Sequence, residues 1–223
     1  MTDSTTDPVT TGAAPVEASG PVAQRVSALR TTAASDPARA QQEAWAWIEE
    51  LGQKRDGDQL EALFALGTPP RELNGPTDGI LVCTLTNAVV DMPVQLLTGM
   101  WMPWQGKSFD AAAKRGTNRM TVSSQLPAKL LFPLYGMKSA PDGKLAFEFV
   151  TRIERGAVEP AIDVLVIDYE PLTENPDLII RRIRDELVQL TPDTYLGRIL
   201  FRLGENRYSN IGYFALRQPA GGS

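Results

Sequence analysis

The sequence contains no histidine, and this absence excludes more chemistry than any other feature of the composition. Catalytic Ser-His-Asp and Cys-His arrangements use an imidazole as their general base. Histidine-ligated zinc sites and haem with a proximal histidine need the same side chain. The acid–base groups left to this chain are therefore its carboxylates, lysines, tyrosines and one thiol.

Cysteine is almost as scarce, since Cys83 is the single one in 223 residues. One cysteine forms neither an intramolecular disulfide nor a thiolate metal cage, which fits a reducing compartment. The first 20 residues lack the basic and apolar regions of a secretion signal, and no apolar run reaches transmembrane length. We therefore expect a cytoplasmic protein with no metal, no cofactor and no membrane insertion.

The sequence also lacks a large excess of either charge. It has 22 basic and 27 acidic side chains, for a net charge of −5. Residues 1–20 hold three of the acidic residues and no basic one, so the rest of the chain has 22 basic and 24 (27 less 3) acidic residues. An almost neutral body gives no electrostatic reason to bind nucleic acid or an anionic membrane. We predict no nucleic-acid partner, and the composition does not specify the oligomeric state.

The first third of the chain is predicted to contain a tail followed by helices. Residues 1–20 are rich in Thr, Ala, Gly and Pro and are predicted to be disordered, as is the end, 219–223. Apolar residues at helical spacing predict a helical segment over 21–68 that packs on the rest of the molecule. Its helices are expected at about 21–32, 37–55 and 58–66.

Local signals support the second of these helices most clearly. Asp36 or Ser35 can cap the free amides, and Pro37 suits the first helical position. Trp45 and Trp47 point to different sides of this helix. One ring is therefore expected to pack within the helical segment and the other on the following domain.

From residue 74 the hydrophobic pattern changes to that of strands, which predicts a second domain over 74–218. Candidate strands lie at about 80–85, 103–109, 117–125, 128–136, 145–154, 162–169, 195–203 and 208–217. The segment Gly204–Arg207 predicts a hairpin between the last two. A helix is predicted at 176–190, where Asn175 and Pro176 resemble a cap and apolar residues form one stripe.

About eight strands without a repeated βαβ unit favour one architecture. We predict a mainly β fold with helices (α+β), in which a closed or nearly closed antiparallel β-barrel follows an N-terminal helical hairpin. On the predicted helix 176–190, Arg181 and Arg182 would each face a carboxylate four residues on, Asp185 and Glu186. That pairing favours a solvated helix face over an anion site.

Gly99-Met100-Trp101, at the start of the first long strand, resembles the Gly-x-Trp signature of the lipocalins and the wider calycin group. The resemblance covers about residues 80–217 and implies a calycin-like barrel whose floor is closed by Trp101. It also implies that an arginine near the end of the last strand covers this ring, here Arg217 or, with a poorer fit, Arg207. Pro103 and the predicted helix 176–190 depart from the family pattern.

A second resemblance involves runs outside that signature. The runs 101–107 and 195–200 are similar to those of a group of actinobacterial proteins, and this similarity implies no activity. Within the first run, Gly106-Lys107-Ser108 is not a phosphate loop, because Trp101 stands where the pattern requires glycine.

Six residues on the predicted strands are candidates for binding a ligand: Trp104, Glu148, Arg152, Arg198, Arg202 and Tyr213. Glu148 shares a strand face with Arg152, and Arg198 shares one with Arg202. If the apolar faces fill the barrel, these charges lie outside and pair across strands. If helices cover an apolar exterior instead, the charges line a polar lumen that could clamp an anion. Exterior pairing is favoured, and both arrangements stay open.

The preferred function is non-catalytic binding of a small apolar or amphipathic ligand in the barrel. One alternative is a calycin-like enzyme of the cyclase, isomerase or decarboxylase type, with Glu148, Arg152, Arg198 or tyrosines converging inside the barrel. It predicts a pocket that contains a buried carboxylate or tyrosine with a shifted pKa. Another alternative is a protein-interaction module, in which the helices present Trp45 or Trp47 to a partner.

Overall fold

Three helices precede a set of ten strands. The structure is a computed structural model that describes residues 20–85, 104–121, 135–141, 143–177 and 179–219. The helices are α1 (Pro21–Ser35), α2 (Pro37–Lys54) and α3 (Gly57–Ala65). The strands are β1 (Gly75–Pro76), β2 (Asp78–Thr84), β3 (Trp104–Asp110), β4 (Arg115–Met120), β5 (Lys138–Ala140), β6 (Gly143–Arg155), β7 (Asp163–Asp168), β8 (Ile183–Thr191), β9 (Thr194–Gly204) and β10 (Arg207–Arg217).

The strands form one antiparallel sheet that curls into a nearly closed barrel. Its order is β1-β3-β4-β6-β7-β8-β9-β10-β2, with β5 paired to β6. β1 pairs with β3, whereas β2, which follows it after a single residue, pairs with β10. One bent segment therefore contacts both ends of the sheet, and the predicted α+β barrel is confirmed.

Thr77 is the residue at this bend between β1 and β2. It is fully buried, and its backbone groups form hydrogen bonds with two other strands. Its backbone N–H donates to the carbonyl of Lys107 at 2.8 Å, and its own carbonyl accepts from Nη1 of Arg119 at 2.9 Å. Gly106 passes so close that a Cβ there would lie 2.0 Å from the Thr77 carbonyl oxygen, and its φ is 140°. Only glycine fits this position without strain.

The barrel wall separates two hydrophobic cores. The inner core fills the barrel with side chains from β3, β4 and β6 to β10, among them Phe109, Phe149, Ile167, Ile199 and Phe214. The outer core lies between the helices and the outer faces of β2 and β7 to β10, and it includes Leu60, Phe64, Val166, Val188 and Leu196. The strands under the helices are therefore apolar on both faces.

The two tryptophans of α2 point in different directions, as predicted. The guanidinium carbon of Arg25, on α1, lies 4.3 Å from the ring centroid of Trp47. That of Arg217, on β10, lies 4.4 Å from the ring of Trp45. Both rings are buried, with 3% of Trp47 and 7% of Trp45 exposed, so the helices do not present either ring to a partner.

The segment predicted as a helix at 176–190 is instead a short 3-10 turn, Ile180–Arg182, followed by β8. Its apolar residues serve two faces of a strand, because Ile183 and Leu187 join the inner core whereas Val188 and Leu190 join the outer one. A strand covered on both sides reads as a nearly continuous apolar run, which also fits a helical stripe. Pairing with β7 and β9 decides between them.

The side chains that were expected to cap that helix or to pair along it have other partners in the structure. Nδ2 of Asn175, expected as a cap, donates to the carbonyls of Glu148 and Tyr169 at 2.7 and 3.2 Å. The side chains of Arg181 and Arg182 bind backbone carbonyls instead of the carboxylates four residues on. In a strand, Asp185 and Glu186 point to opposite faces, and each finds its partners there.

The remaining strand predictions agree with the structure where it describes them. The strands predicted at 80–85, 103–109, 145–154, 162–169, 195–203 and 208–217 are present within a few residues, and the last two form the predicted hairpin. β4 ends at Met120, short of the predicted 125. Gly99, Trp101 and most of the strand predicted at 128–136 lie outside the described residues. No helix in the described part of the chain is long and apolar enough to cross a membrane.

Candidate functional site

Four strands bring polar side chains together inside the barrel. Lys107 lies on β3, Asn118 on β4, Tyr169 directly after β7, and Asp185 on β8. Each alternates with apolar residues of the inner core, as Lys107 does with Phe109, so the pleat turns it inward. All four are buried, and the exposed fractions of Lys107 and Asp185 are 3% and 2%.

The ammonium group of Lys107 is at the centre of this cluster. Its Nζ donates to Oδ1 of Asn118 at 2.9 Å, to the hydroxyl of Tyr169 at 2.6 Å and to Oδ2 of Asp185 at 3.0 Å. An ammonium has three hydrogens, so these three acceptors use all of them. The geometry fits a charged lysine paired with a charged aspartate.

The remaining donors of the cluster are also used. The Tyr169 hydroxyl donates to Oδ2 of Asp185 at 2.9 Å. Nδ2 of Asn118 donates to the carbonyl of Phe147 at 3.1 Å and to the Tyr169 hydroxyl at 3.3 Å. Nε1 of Trp104 donates to Oδ1 of Asn118 at 3.1 Å. Every N–H and O–H of these four side chains is thus committed.

One acceptor of the cluster is open. Oδ1 of Asp185 is buried and has no hydrogen-bond partner within the described part of the chain. A buried carboxylate oxygen without a donor costs free energy, so a native structure retains such an atom where something else satisfies it. This oxygen is thus the atom of the cluster that still accepts a hydrogen bond.

Aromatic rings surround the charged pair. Nζ of Lys107 lies 5.2 to 5.7 Å from the ring centroids of Trp104, Phe149, Tyr169 and Phe214. Burial lowers the pKa of Lys107, and the nearby Asp185 offsets only part of that effect. Burial, reinforced by the Asp185 charge, raises the pKa of Tyr169 well above its usual value. Tyr169 therefore remains protonated and a donor at neutral pH.

A cavity adjoins the cluster. Its volume is about 20 Å³, which is room for about one water molecule. Its walls are mostly apolar, and Lys107, Asn118, Tyr169 and Asp185 supply the polar part. The other lining residues are Trp104, Met120, Phe147, Ile180, Ile183 and Phe214. Among the barrel residues that the structure describes, side chains leave this small space next to Asp185.

The six sequence-predicted site residues do not meet in one place. Trp104 lines the cavity. Arg198 and Tyr213 lie on the outer face beneath α3, where both bind the carboxylate of Glu61. Arg198, fully buried, also pairs with Glu186.

The other three lie on the outer face as well, each in an ion pair. Arg152 binds Glu154 and Asp168 at 2.8 and 2.7 Å. Glu148 pairs with Lys138, and Arg202 pairs with Glu170. Of the two arrangements that the sequence left open, the structure has the exterior one, with charges paired across strands.

Sequence patterns alone did not bring Lys107, Asn118 and Asp185 together as a group, and they did not single out Tyr169. The signal for Lys107 was its place two residues before Phe109 on a strand. Asp185 would have shown the same alternation with Ile183 and Leu187, but the helix assigned there concealed it. Among the described residues, no group of three or more His, Cys, Asp or Glu side chains could hold a metal ion.

Comparisons with known proteins add no functional information to this description of the site. No protein-family model matches the chain, and no curated protein sequence matches it. The chain is similar to the solved structure of a protein from Thermomonospora curvata, with 17% identity over 73% of this chain and 86% of that chain. The TM-score of 0.40 is too low to carry an argument about function.

Proposed function

We propose that this barrel, which fits a calycin-like fold, binds one small amphipathic molecule beside Asp185 and does not transform it. The open Oδ1 of Asp185, a residue that lines a mostly apolar cavity, is the observation that carries the proposal. Ligand sites typically combine apolar walls with a few polar groups that fix orientation. Here the walls include Trp104 and Phe214, and the orienting group is the carboxylate.

The cavity sets the size of the ligand. With a volume of about 20 Å³, the cavity as it stands has room for the polar head of the ligand. The apolar part of the ligand needs further room. Met120 lines the cavity, and methionine is the side chain that adapts most easily, because it is unbranched and has three rotatable bonds. We expect Met120 to move aside when a ligand of several heavy atoms enters.

An enzymatic function has one observation in its favour, since the cavity contains a buried tyrosine with a raised pKa, a buried carboxylate and a lysine with a lowered pKa. Tyrosines were among the residues first considered for catalysis, and Tyr169 lines the cavity, whereas Glu148, Arg152 and Arg198 lie outside the barrel. The hydrogens of Lys107 and Tyr169 are all held in bonds within the cluster, which favours binding over proton transfer. Catalysis predicts that a bound probe is converted with time, and binding alone predicts that it is recovered unchanged.

Methyl NMR tests the proposal directly. In protein labelled at the δ1-methyl groups of isoleucine, titration with n-butanol should shift the signals of Ile180 and Ile183, which line the cavity, and the shifts should saturate. Ile48 is a matched control, since it is fully buried in the outer core. Equal, non-saturating shifts at all three residues would mean that the alcohol acts as a cosolvent and does not bind in the cavity.

A further inference from the structure

We infer that the cavity selects uncharged hydrogen-bond donors, with alcohols as the simplest class, over carboxylates and over molecules that only accept hydrogen bonds. This inference rests on the proposed function and names the chemical class of its ligand. It follows from the hydrogen bonds within the cluster and from the charges that face the cavity.

The hydrogen bonds determine the direction in which the ligand must bond. The four polar residues that line the cavity hold all their N–H and O–H hydrogens in bonds with one another, with one backbone carbonyl contributing. Among the described residues that line the cavity, the polar side-chain atom without a hydrogen-bond partner is an acceptor, Oδ1 of Asp185. A ligand that brings a hydrogen satisfies this atom, whereas an ether or ketone oxygen finds no donor and leaves the carboxylate unsatisfied.

The charged side chains that line the cavity determine which charge the ligand can have. Lys107 and Asp185 are the two charged side chains among the described residues that line the cavity, and they neutralise each other at 3.0 Å. A carboxylate in this place would set its negative charge against Oδ1 of Asp185. An ammonium ion would lose its hydration without a carboxylate of its own, because Asp185 is already paired with Lys107.

Four probes of similar size separate these cases: n-butanol, its isomer diethyl ether, butyrate and n-butylammonium. Isoleucine-methyl NMR of the full chain gives a dissociation constant for each, from the signals of Ile180 and Ile183. We expect n-butanol to bind about tenfold or more tightly than diethyl ether, the smallest difference that a lost hydrogen bond to a charged group should produce. Butyrate and n-butylammonium should bind more weakly than the alcohol.

The outcomes distinguish this inference from the proposed function. If diethyl ether or butyrate binds as tightly as n-butanol, the selection of donors is wrong while binding in the cavity stands. If none of the four probes gives a saturable shift, the proposed function itself fails. Equal binding of n-butylammonium and n-butanol would overturn the charge argument alone.

Two variants sharpen the experiment. Met120→Ala enlarges the cavity without touching the polar cluster, so it should strengthen the binding of n-butanol and keep the preference for alcohol over ether. In Asp185→Asn the amide oxygen should take the place of Oδ2, to which Lys107 and Tyr169 donate, so the amide NH2 replaces the open oxygen. Alcohol and ether oxygens can both accept from this group, so the preference should fall towards one. An unchanged preference in Asp185→Asn would show that another group recognises the hydroxyl, and the wild-type series decides the question if this variant does not fold.

Discussion

At the scale of single residues, Lys107 and Asp185 are charges from which water is excluded. Removing one member of a buried ion pair leaves the other charge without compensation, which costs far more than losing an exposed pair. The side chains of Lys107 and Asp185 are 4% and 3% exposed, against 71% and 43% for the pair of Lys138 and Glu148 on the barrel surface. The two pairs therefore permit a matched comparison within one protein.

The first prediction is that Lys107→Met lowers the free energy of unfolding by about 3–5 kcal/mol. The same change at the exposed pair, Lys138→Met, should cost less than about 1 kcal/mol. Urea denaturation of both variants measures the difference. The double variant K107M/D185N should recover most of the loss, because neither charge then remains alone. Equal costs at Lys107 and Lys138 would contradict the assignment of a buried charged pair.

A second prediction concerns alkaline pH and Tyr195. Burial, with the charge of Asp193 adding to it, raises the pKa of Tyr195 to about 12, whereas an unfolded chain ionises its tyrosines near about 10. Between these values the folded chain keeps a proton that the unfolded chain has lost, so the free energy of unfolding falls as the pH rises. In Tyr195→Phe this fall should be smaller by up to about 1.4 kcal/mol per pH unit. Parallel curves of stability against pH for wild type and variant would refute the shift.

At the scale of elements, β8 shows how far the sequence could predict this fold. The helices and the last hairpin follow from local signals, such as the cap at Asp36, whose Oδ1 accepts from the backbone N–H of Arg39 at 3.0 Å. β8 has no such local signal, because its residues fit a helix and a strand buried on both faces equally well. Pairing with its neighbours settles its structure, and sequence periodicity does not report such pairing.

Predicting the cluster inside the barrel depended on the same assignment of β8 as a helix or a strand. Its members come from four strands, and Lys107 and Asp185 are 78 positions apart. Alternation with apolar neighbours could place each one on an inner face, but only the register of the sheet sets them opposite each other. One misassigned element was therefore enough to hide the site, although the barrel itself was predicted correctly.

The corner between β1 and β2 supplies a third prediction. Gly106→Ala should lower the free energy of unfolding by about 1–3 kcal/mol or more, because alanine is strained at this φ and its Cβ would meet the backbone of Thr77. Gly204→Ala is the control, since the nearest atom to its Cβ would be a side-chain atom of Arg207 at 3.5 Å, an ordinary contact. Thermal unfolding of both variants compares them. A Gly106→Ala protein as stable as Gly204→Ala would mean that the corner relaxes without cost.

At the scale of the whole molecule, the helical layer and the barrel share the outer core and a buried charge. Fully buried Arg198 of β9 donates to Oε1 of Glu61 on α3 at 2.9 Å, and its guanidinium lies 4.4 Å from the ring centroid of Phe64. The Tyr213 hydroxyl donates to the other carboxylate oxygen of Glu61. The helices thus cover charged and polar groups that the barrel alone would expose.

A fourth prediction follows for Glu61→Ala. The change leaves the Tyr213 hydroxyl and one face of Arg198 without their partner, so it should cost about 1–3 kcal/mol. Because the layers share a core, the urea transitions measured by far-ultraviolet circular dichroism and by tryptophan fluorescence should move together. Glu43→Ala, which breaks an exposed i,i+4 pair with Arg39, should leave the stability almost unchanged. Separation of the two transitions would show that the helical layer and the barrel do not unfold as one cooperative unit.

We propose that the barrel binds a small molecule beside Asp185. A crystal structure of the full chain grown with n-butanol tests it most directly. We expect electron density for the alcohol in the cavity. Its hydroxyl oxygen should lie within hydrogen-bonding distance of Oδ1 of Asp185, and its carbon chain should lie against Trp104 and a displaced Met120. Density for the alcohol only on the outer surface, with the inside of the barrel unchanged, would contradict it.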